Sequence, residues 1–415
     1  MQTALADIIR DTPTGQEADQ ILRSCVHCGF CNATCPTYQL LGDELDGPRG
    51  RIYLIKQMLE GEAVTVHTLT HLDRCLTCLT CETTCPSGVR YGALLEIGRE
   101  LAEQRIKRPW RQRALRWLIR HILPFPKRFT PLLRLGQWFR FMLPSGLKSK
   151  VPQRQRSIFK LPQEPTMYER KMLLLEGCAQ ASLAPNINAA TIRVMNRLRI
   201  SAFSAKGAGC CGAACHHTSG VAEGLNQARR NIDSWWPWIE QGVESIVMTA
   251  SGCGVHVKDY GHLLRHDLVY AEKAQRVSTL TKDLSEILMH EDLAEFRPNT
   301  EILSKIAFQS PCTLQHGQKL NGVVEKILSD LGFALTEVPE AHLCCGSAGT
   351  YSLLQSGLSQ RLLTRKLTAL CAGEPQTIVT ANIGCLTHLQ SQTKIPVRHW
   401  IELLADTYST RETGT

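Results

Sequence analysis

Two stretches constrain this chain more than any others. CVHCGFCNATCP at residues 25–36 and CLTCLTCETTCP at 75–86 share one spacing, C-x2-C-x2-C-x3-C-P. Three closely spaced thiolates can reach three corners of a cube, while a fourth cysteine followed by proline points elsewhere. That spacing is the mark of a cubane iron–sulfur cluster, and where two runs occur the fourth cysteine of each ligates the other cluster. It therefore assigns Cys25, Cys28, Cys31 and Cys85 to one [4Fe–4S] cluster, and Cys75, Cys78, Cys81 and Cys35 to a second. Zinc sites would need four thiolates each, but neither the third C-x2-C step nor Pro36 and Pro86. The crossing staples the two halves of the module together, so metal-free protein is expected to fold poorly there.

The chain has 415 residues, enough for two or three domains, and 18 cysteines, far more than packing requires. The N-terminal stretch MQTALADIIRDTPTGQEADQ has no basic start and no apolar core of signal-peptide length. The chain is therefore expected to be cytoplasmic, where dense cysteine means metal or redox chemistry rather than a disulfide frame. No apolar run is long enough to span a membrane. Residues 105–160 contain 16 Lys and Arg and no Asp or Glu; with +9 for the whole chain, the remainder carries −7. One basic belt in a mildly acidic protein argues against a uniformly basic nucleic-acid binder.

Ile52, Ile55, Met58 and Leu59 recur at helical spacing between the cysteine runs, and YGALLEIGRELAEQRI after them reads as a second amphipathic helix. Residues 1–104 thus form a helical module with cysteines in its loops and at its helix starts. Residues 105–165 form the basic segment. There Leu115, Leu118, Ile119 and Ile122 line one helical face, with Arg113, Arg116 and Arg120 elsewhere, and Leu132, Leu135, Phe139 and Met142 share a side of a second piece. This segment is a linker with a solvated face, or a surface: Trp110, Trp117 and Trp138 among arginines suit the boundary of an anionic membrane, or an acidic partner.

From residue 166 the chain repeats itself. KMLLLEGC ends at Cys178 and KIAFQSPC at Cys312; GCCG (Cys210, Cys211) and LCCG (Cys344, Cys345) follow; IVMTASGC and IVTANIGC end at Cys253 and Cys385. His256 and His388 each lie three residues beyond the last cysteine. TIRVMNRL and VVEKILSDL read as helices, each followed by a short strand, which indicates an α/β build. The expected fold is α+β multidomain: the helical ferredoxin module, then two tandem α/β CCG units at 166–293 and 294–415 in a pseudo-twofold arrangement.

Adjacent cysteines strain badly into a mutual disulfide, but both can ligate one centre from a tight turn. Cys178, Cys210, Cys211 and Cys253, and the matching Cys312, Cys344, Cys345 and Cys385, are candidate metal ligands. Cys215 and Cys371 belong to no pattern, His216 and His217 read as a polar turn, and Arg49 and Arg51 as a solvated turn near the first run. No P-loop or G-x-S-x-G motif is present, and no G-x-G-x-x-G reads as a dinucleotide-binding turn after a strand (GAGCCG at 207–212 carries the cysteine pair), so neither flavin nor nicotinamide is expected in this chain, and no catalytic residue is assigned. A two-electron oxidation should belong to a partner.

The combination CVHCGFCNATCPTYQLLGDELDGPRGRIYLIK, CLTCLTCETTCPSGVRY, CCGSAGTY and IVTANIGC resembles the iron–sulfur subunits of bacterial glycolate oxidases, better described as glycolate dehydrogenases. The likeness runs from about residue 20 to 402 and is weakest in the basic belt. It implies a complex with flavoprotein subunits that oxidise glycolate to glyoxylate. Electrons would pass one at a time through this chain to a membrane quinone or other acceptor, with the chain peripheral on the cytoplasmic face of the inner membrane. The eight ferredoxin-type cysteines match the family's ligand positions. The wider CCG family ends each unit with C-x2-C, where this chain has Ala250 and Asn382. A smaller centre, a zinc ion or no metal are the alternatives there, with His256 or His388 as conceivable extra ligands. Anaerobic glycerol-3-phosphate dehydrogenase and lactate-utilisation complexes use equivalent subunits. A cluster-bearing nucleic-acid sensor is the rival from another class, disfavoured because it leaves the CCG repeats unexplained.

Overall fold

The computed structural model describes residues 1–142, 151–155, 168–298 and 305–412, without the side chains of 408–412. Residues 143–150 and 156–165 of the basic segment, and parts of the two CCG units, lie outside them. The chain divides into two compact units: Met1–Arg116 with His342–Lys366, and Trp117–Ala341 with Leu367–Thr415.

The first unit is helical. Thr12 caps the helix Pro13–Ser24 by accepting the Gly15 N–H at 3.0 Å. Pro48 opens the helix Pro48–Leu59, where its missing N–H costs nothing. Ile52, Ile55, Met58 and Leu59 are all buried as their spacing requires, with Leu22, Leu72, Leu94 and Leu95 around them. The helix Tyr91–Arg105 packs on the Pro48 helix through Gly98. A Cβ there would stand 2.6 Å from the Ile55 side chain, so only glycine permits the approach. Thr65 and Thr68 form a capping box on the helix Val66–Asp73.

The two cysteine runs adopt the same backbone path. His27 and Gly29 after Cys25, and Thr77 and Leu79 after Cys75, all have positive φ, at 56°, 86°, 53° and 61°. For Leu79 that is an uncommon conformation, held because the run must curl around a point. A short helix follows in each, Phe30–Ala33 and Thr80–Thr84, before an extended Cys35 or Cys85. The two short helices pack together, and the equivalent hydroxyls of Thr34 and Thr84 meet at 3.1 Å.

The second unit holds two parallel sheets. Strands β1 (Arg170–Leu174), β2 (Ile200–Phe203), β3 (Ser245–Met248) and β4 (Thr281–Asp283) lie in the order β2-β1-β3-β4. Strands β5 (Ile306–Gln309), β6 (Thr377–Thr380) and β7 (Val397–His399) lie in the order β5-β6-β7. The expected strand between the second repeat's helix Val323–Asp330 and its CCG is reduced to a bridge, Leu335 against Ile306, held by the Ile306 N–H to Ala334 and the Thr336 N–H to Ile306.

Contacts between the repeats are reciprocal. The first repeat's helix Pro185–Arg197 packs on the C-terminal helix Trp400–Glu412, and the second repeat's Val323 helix packs on the first repeat's Leu284–Leu288. His399 at the end of β7 bonds the Thr249 carbonyl at 2.9 Å, and Asp283 at the end of β4 accepts from Gln318 at 3.2 Å.

The basic segment is helical over Trp110–Ile122 and Pro126–Trp138. Arg116, expected on a solvated face, is buried, and its guanidinium lies 3.2 Å from Asp73, which Arg108 also clamps. Arg120 donates to the Thr218 carbonyl at 2.9 Å and pairs with Glu223. Leu118, Leu132, Leu135, Phe139 and Met142 instead face outward, with Trp138 75% and Phe141 76% exposed.

Candidate metal centres

Cys25, Cys28, Cys31 and Cys85, together with Cys81 of the second run, line one pocket, closed by Pro48, Arg49, Pro86 and Tyr91. Cys28 is exposed and Cys25 buried. Burial pushes the Cys31 thiol up to about 11, and the charges of Cys25, Cys28 and Cys85 add to the rise. Cys85 thus stands with the first run, fifty positions before it in sequence, although it belongs to the second.

The complementary exchange holds for Cys35. Burial raises the Cys81 thiol first, followed by Cys78, Cys75 and Cys35. The crossing has a local cause: each short helix ends in an extended cysteine and a proline, which turns the chain away from its own run.

The two sets differ in what surrounds the sulfur. Cys75 accepts the Thr77 N–H at 3.4 Å and the Tyr91 O–H at 3.5 Å, and Cys78 accepts the Thr80 hydroxyl at 3.4 Å. Burial alone would raise the Cys75 thiol, yet Arg51, Arg99, Tyr91 and Thr77 together hold it below its ordinary value. Arg51 is 1% exposed, unlike the solvated turn its sequence neighbours suggest. It donates to the His71 carbonyl at 2.7 Å and to Thr37 Oγ1 at 3.2 Å, and Thr37 Oγ1 lies 3.3 Å from Cys35 Sγ. Fully buried Asp46 compensates it, shared with His71 at 3.0 Å and Arg74 at 2.7 Å. One signal was available: Arg51, Ile55 and Met58 sit at i, i+4 and i+7, on the buried face.

Four soft thiolate donors in each set, a pocket at the first and fixed hydrogen-bond donors to sulfur at the second suit an iron–sulfur cluster, whose sulfurs accept such bonds. Asp43, Asp46 and His71 also lie within ligating distance of one another, but Arg51 and Arg74 already supply the positive charge there.

In the first CCG unit the thiols form a hydrogen-bonded chain, Cys178 to Cys210 to Cys211 to Cys253. Their mutual bonds and burial raise Cys178, Cys210 and Cys211. Tyr260 donates to the Cys211 carbonyl at 2.5 Å and Asn231 to the Cys210 carbonyl at 2.9 Å, fixing the turn. Gly212, at φ 102°, has no room for a Cβ, which would lie 2.7 Å from the Gly224 carbonyl. His216 and His217 are more than a polar turn: their rings pack edge-on against buried His256, at 5.5 and 6.0 Å between centroids. Sequence spacing carries no sign of that cluster, because His256 arrives from the other side of β3. Cys215 is buried and accepts the Gln227 amide at 3.3 Å, as a packing residue does.

In the second CCG set, Cys312 and Cys385 belong to the second unit, whereas Cys344 and Cys345 belong to the first. All four are buried. Asn382, at the position of the missing cysteine, caps its helix through the Gly384 N–H at 2.8 Å and donates to Ser251 at 3.1 Å in the other repeat. Its amide makes a junction between repeats that a thiol could not.

Comparison with known proteins finds a 4Fe-4S dicluster domain over residues 21–89 and a cysteine-rich domain twice, over 172–258 and 306–390. The chain is 55% identical over 404 residues to the glycolate oxidase iron-sulfur subunit of Escherichia coli K12, covering 97% of this chain and 98% of that one. It is 29% identical over 395 residues to the probable glycolate oxidase iron-sulfur subunit of Bacillus subtilis, covering 89% and 88%. Lactate utilization protein A of Bacillus licheniformis is 26% identical over 247 residues, 56% of this chain and 98% of that protein.

Proposed function

The chain belongs to the family of glycolate oxidase iron–sulfur subunits, and from that premise we propose that it relays single electrons from a glycolate-oxidising flavoprotein partner to a quinone or other acceptor. Cys25, Cys28, Cys31 and Cys85 hold one [4Fe–4S] cluster in this reading, and Cys35, Cys75, Cys78 and Cys81 the other. The observation that carries it is the neighbourhood of the thiols: Cys85 beside Cys25, Cys28 and Cys31, and Cys35 beside Cys75, Cys78 and Cys81. When bound, each cluster accepts and releases one electron, which splits a two-electron oxidation into single steps. The protein's own contribution is to hold the thiolates, exclude water from the Cys75 side and supply fixed donors to sulfur.

The four-domain division, 1–104, 105–165, 166–293 and 294–415, is part of the same reading, as is the pseudo-twofold pairing of the CCG units; the reciprocal helix contacts support the pairing. The hydrogen-bonded thiols Cys178, Cys210, Cys211 and Cys253 support a further metal centre in the first CCG unit. No described helix is long and apolar enough to cross a membrane. Peripheral contact with the cytoplasmic face of an inner membrane falls to Trp117–Met142, where exposed Trp117, Trp138 and Phe141 accompany Lys127, Arg128 and Arg134.

The test is low-temperature electron paramagnetic resonance of the anaerobically purified complex during addition of glycolate. A reduced-cluster signal that grows with glycolate and not with glycerol 3-phosphate is expected. Clusters that respond only to dithionite, with an active flavoprotein present, would sink the substrate assignment.

A further inference from the structure

The two thiol sets are electrically unequal, and the inequality gives electron flow a direction. We propose that Arg51, Arg99 and Tyr91 make the cluster at Cys35, Cys75, Cys78 and Cys81 the higher-potential member of the pair, so that electrons come to rest there; this rests on the two-cluster reading above.

A reduced cluster carries one more negative charge than an oxidised one. Positive charge and hydrogen bonds to sulfur stabilise it and raise the potential, whereas burial disfavours it. The second set has three donors on sulfur: the Tyr91 hydroxyl and Thr77 N–H on Cys75, and the Thr80 hydroxyl on Cys78. Arg51 lies one hydroxyl away from Cys35, through Thr37. Its carboxylate partner is divided: Asp46 sits 2.7 Å from Arg74 and 3.0 Å from His71, but 3.5 Å from Arg51. Much of the Arg51 charge is therefore left to act on sulfur. Arg99 donates to the Cys75 carbonyl at 2.8 Å and to Thr77 at 3.2 Å, and its hydrogen bonds all go to neutral groups. Glu82 is the opposing charge near Cys81, and its carboxylate is held by the Gly92 N–H at 2.6 Å.

The first set lacks this arrangement. Its nearby cations are Arg49, partly exposed and paired with Glu44 at 2.6 Å, and the half-buried Met1 ammonium, which donates to the Cys25 carbonyl at 2.7 Å rather than to a sulfur. The Asn32 amide oxygen faces Cys31 at 3.9 Å, which presents negative rather than positive charge to sulfur. Among the described residues no side-chain hydroxyl bonds its sulfurs; the donor to Cys25 is the His27 backbone. Cys28 is exposed, so water screens what charge there is. Burial works against the second cluster, but the low dielectric that imposes the penalty also strengthens each fixed charge and dipole beside it. In the transfer itself one electron leaves the cluster at Cys25, Cys28, Cys31 and Cys85 and reduces the other; no bond forms or breaks.

The experiment is a redox titration of the purified complex followed by electron paramagnetic resonance, for wild type, Tyr91→Phe, Arg51→Gln and, as control, Arg49→Gln. Iron and sulfide analysis comes first: fewer than about eight iron atoms per chain overturns the two-cluster reading itself. Given both clusters, two waves are expected, separated by at least a tenfold difference in reduced-to-oxidised ratio, about 59 mV for one electron. Tyr91→Phe should lower the upper wave by a few-fold in that ratio and leave the other in place. Arg51→Gln should lower the same wave by about tenfold or more, and Arg49→Gln should not move it. Coincident waves in wild type, or an upper wave unmoved by Tyr91→Phe, overturn the proposal. Tyr91→Phe decides alone if Arg51→Gln does not load its clusters.

Discussion

The Tyr351 hydroxyl donates to the backbone carbonyl of Arg74 at 3.0 Å, joining residues 277 positions apart. Arg74 immediately precedes Cys75, so the run CCGSAGTY lies against the cluster module. Arg361 and Arg365 extend the contact to the Leu40 carbonyl and the Gln39 amide, at 2.7 and 2.8 Å. The turn itself is held by Ser359 on the Gly346 carbonyl at 2.7 Å.

Tyr351→Ala removes a buried ring and that hydrogen bond, and should cost the local packing about 3–5 kcal/mol. Hydrogen exchange over His342–Lys366 should accelerate, with the iron content of the chain retained. Unchanged exchange in that segment would show that the tyrosine does not hold it.

Cys28→Ser and Cys78→Ser should each remove one cluster, about half the iron of the chain, and abolish glycolate-dependent acceptor reduction. Reduction of the partner flavin by glycolate should persist. Turnover to quinone that survives either substitution is incompatible with a relay through both sites.

Asp46 and Arg51 are 0% and 1% exposed, so Asp46→Asn leaves a buried guanidinium without its countercharge. Breaking a buried pair on one side costs about 3–5 kcal/mol. Thermal loss of the iron–sulfur absorbance should begin well below the wild-type temperature, and a melting profile matching wild type is the contrary result.

His399 is neutral in the fold: its Nε2 donates to the Thr249 carbonyl, and its Nδ1 accepts the Ile401 N–H at 3.3 Å. Burial lowers its pKa from 6.5 to about 4. The unfolded chain therefore takes up the proton first as pH falls. The stability this residue contributes is complete above about pH 6.5 and is lost, by roughly 3 kcal/mol, as pH drops through that window to 4. Urea unfolding followed by tryptophan fluorescence should show a shallower acid dependence for His399→Gln than for wild type. Parallel dependences would remove His399 from the account.

Arg116 and Arg120 hold Asp73 and the Thr218 carbonyl, so neutralising them tests folding rather than membrane contact. The informative substitution is Trp138→Ser with Phe141→Ser, on side chains 75% and 76% exposed. Co-flotation with anionic vesicles should fall about tenfold, in line with the loss of two apolar anchors. Flotation equal to wild type would leave the exposed apolar side without a membrane role.

Residues close in sequence determined much of this protein. The C-x2-C-x2-C-x3-C-P spacing, with matching left-handed residues in both runs, sets how each run curls, because the backbone between nearby thiols has few ways to bend. The 3.6-residue recurrence of Ile52, Ile55, Met58 and Leu59 likewise marked the Pro48 helix, since a helix repeats its faces locally. The tandem CCG units were legible as repeats for the same reason. What only the tertiary structure decided is which surfaces meet. Arg51 reads as a surface charge until Asp46, the His71 carbonyl and the Cys35 loop close over it. His216 and His217 become a cluster when β3 delivers His256, and CCGSAGTY joins the cluster module when Tyr351 finds Arg74. Such contacts come from burial and hydrogen bonding between distant segments, which no local pattern encodes.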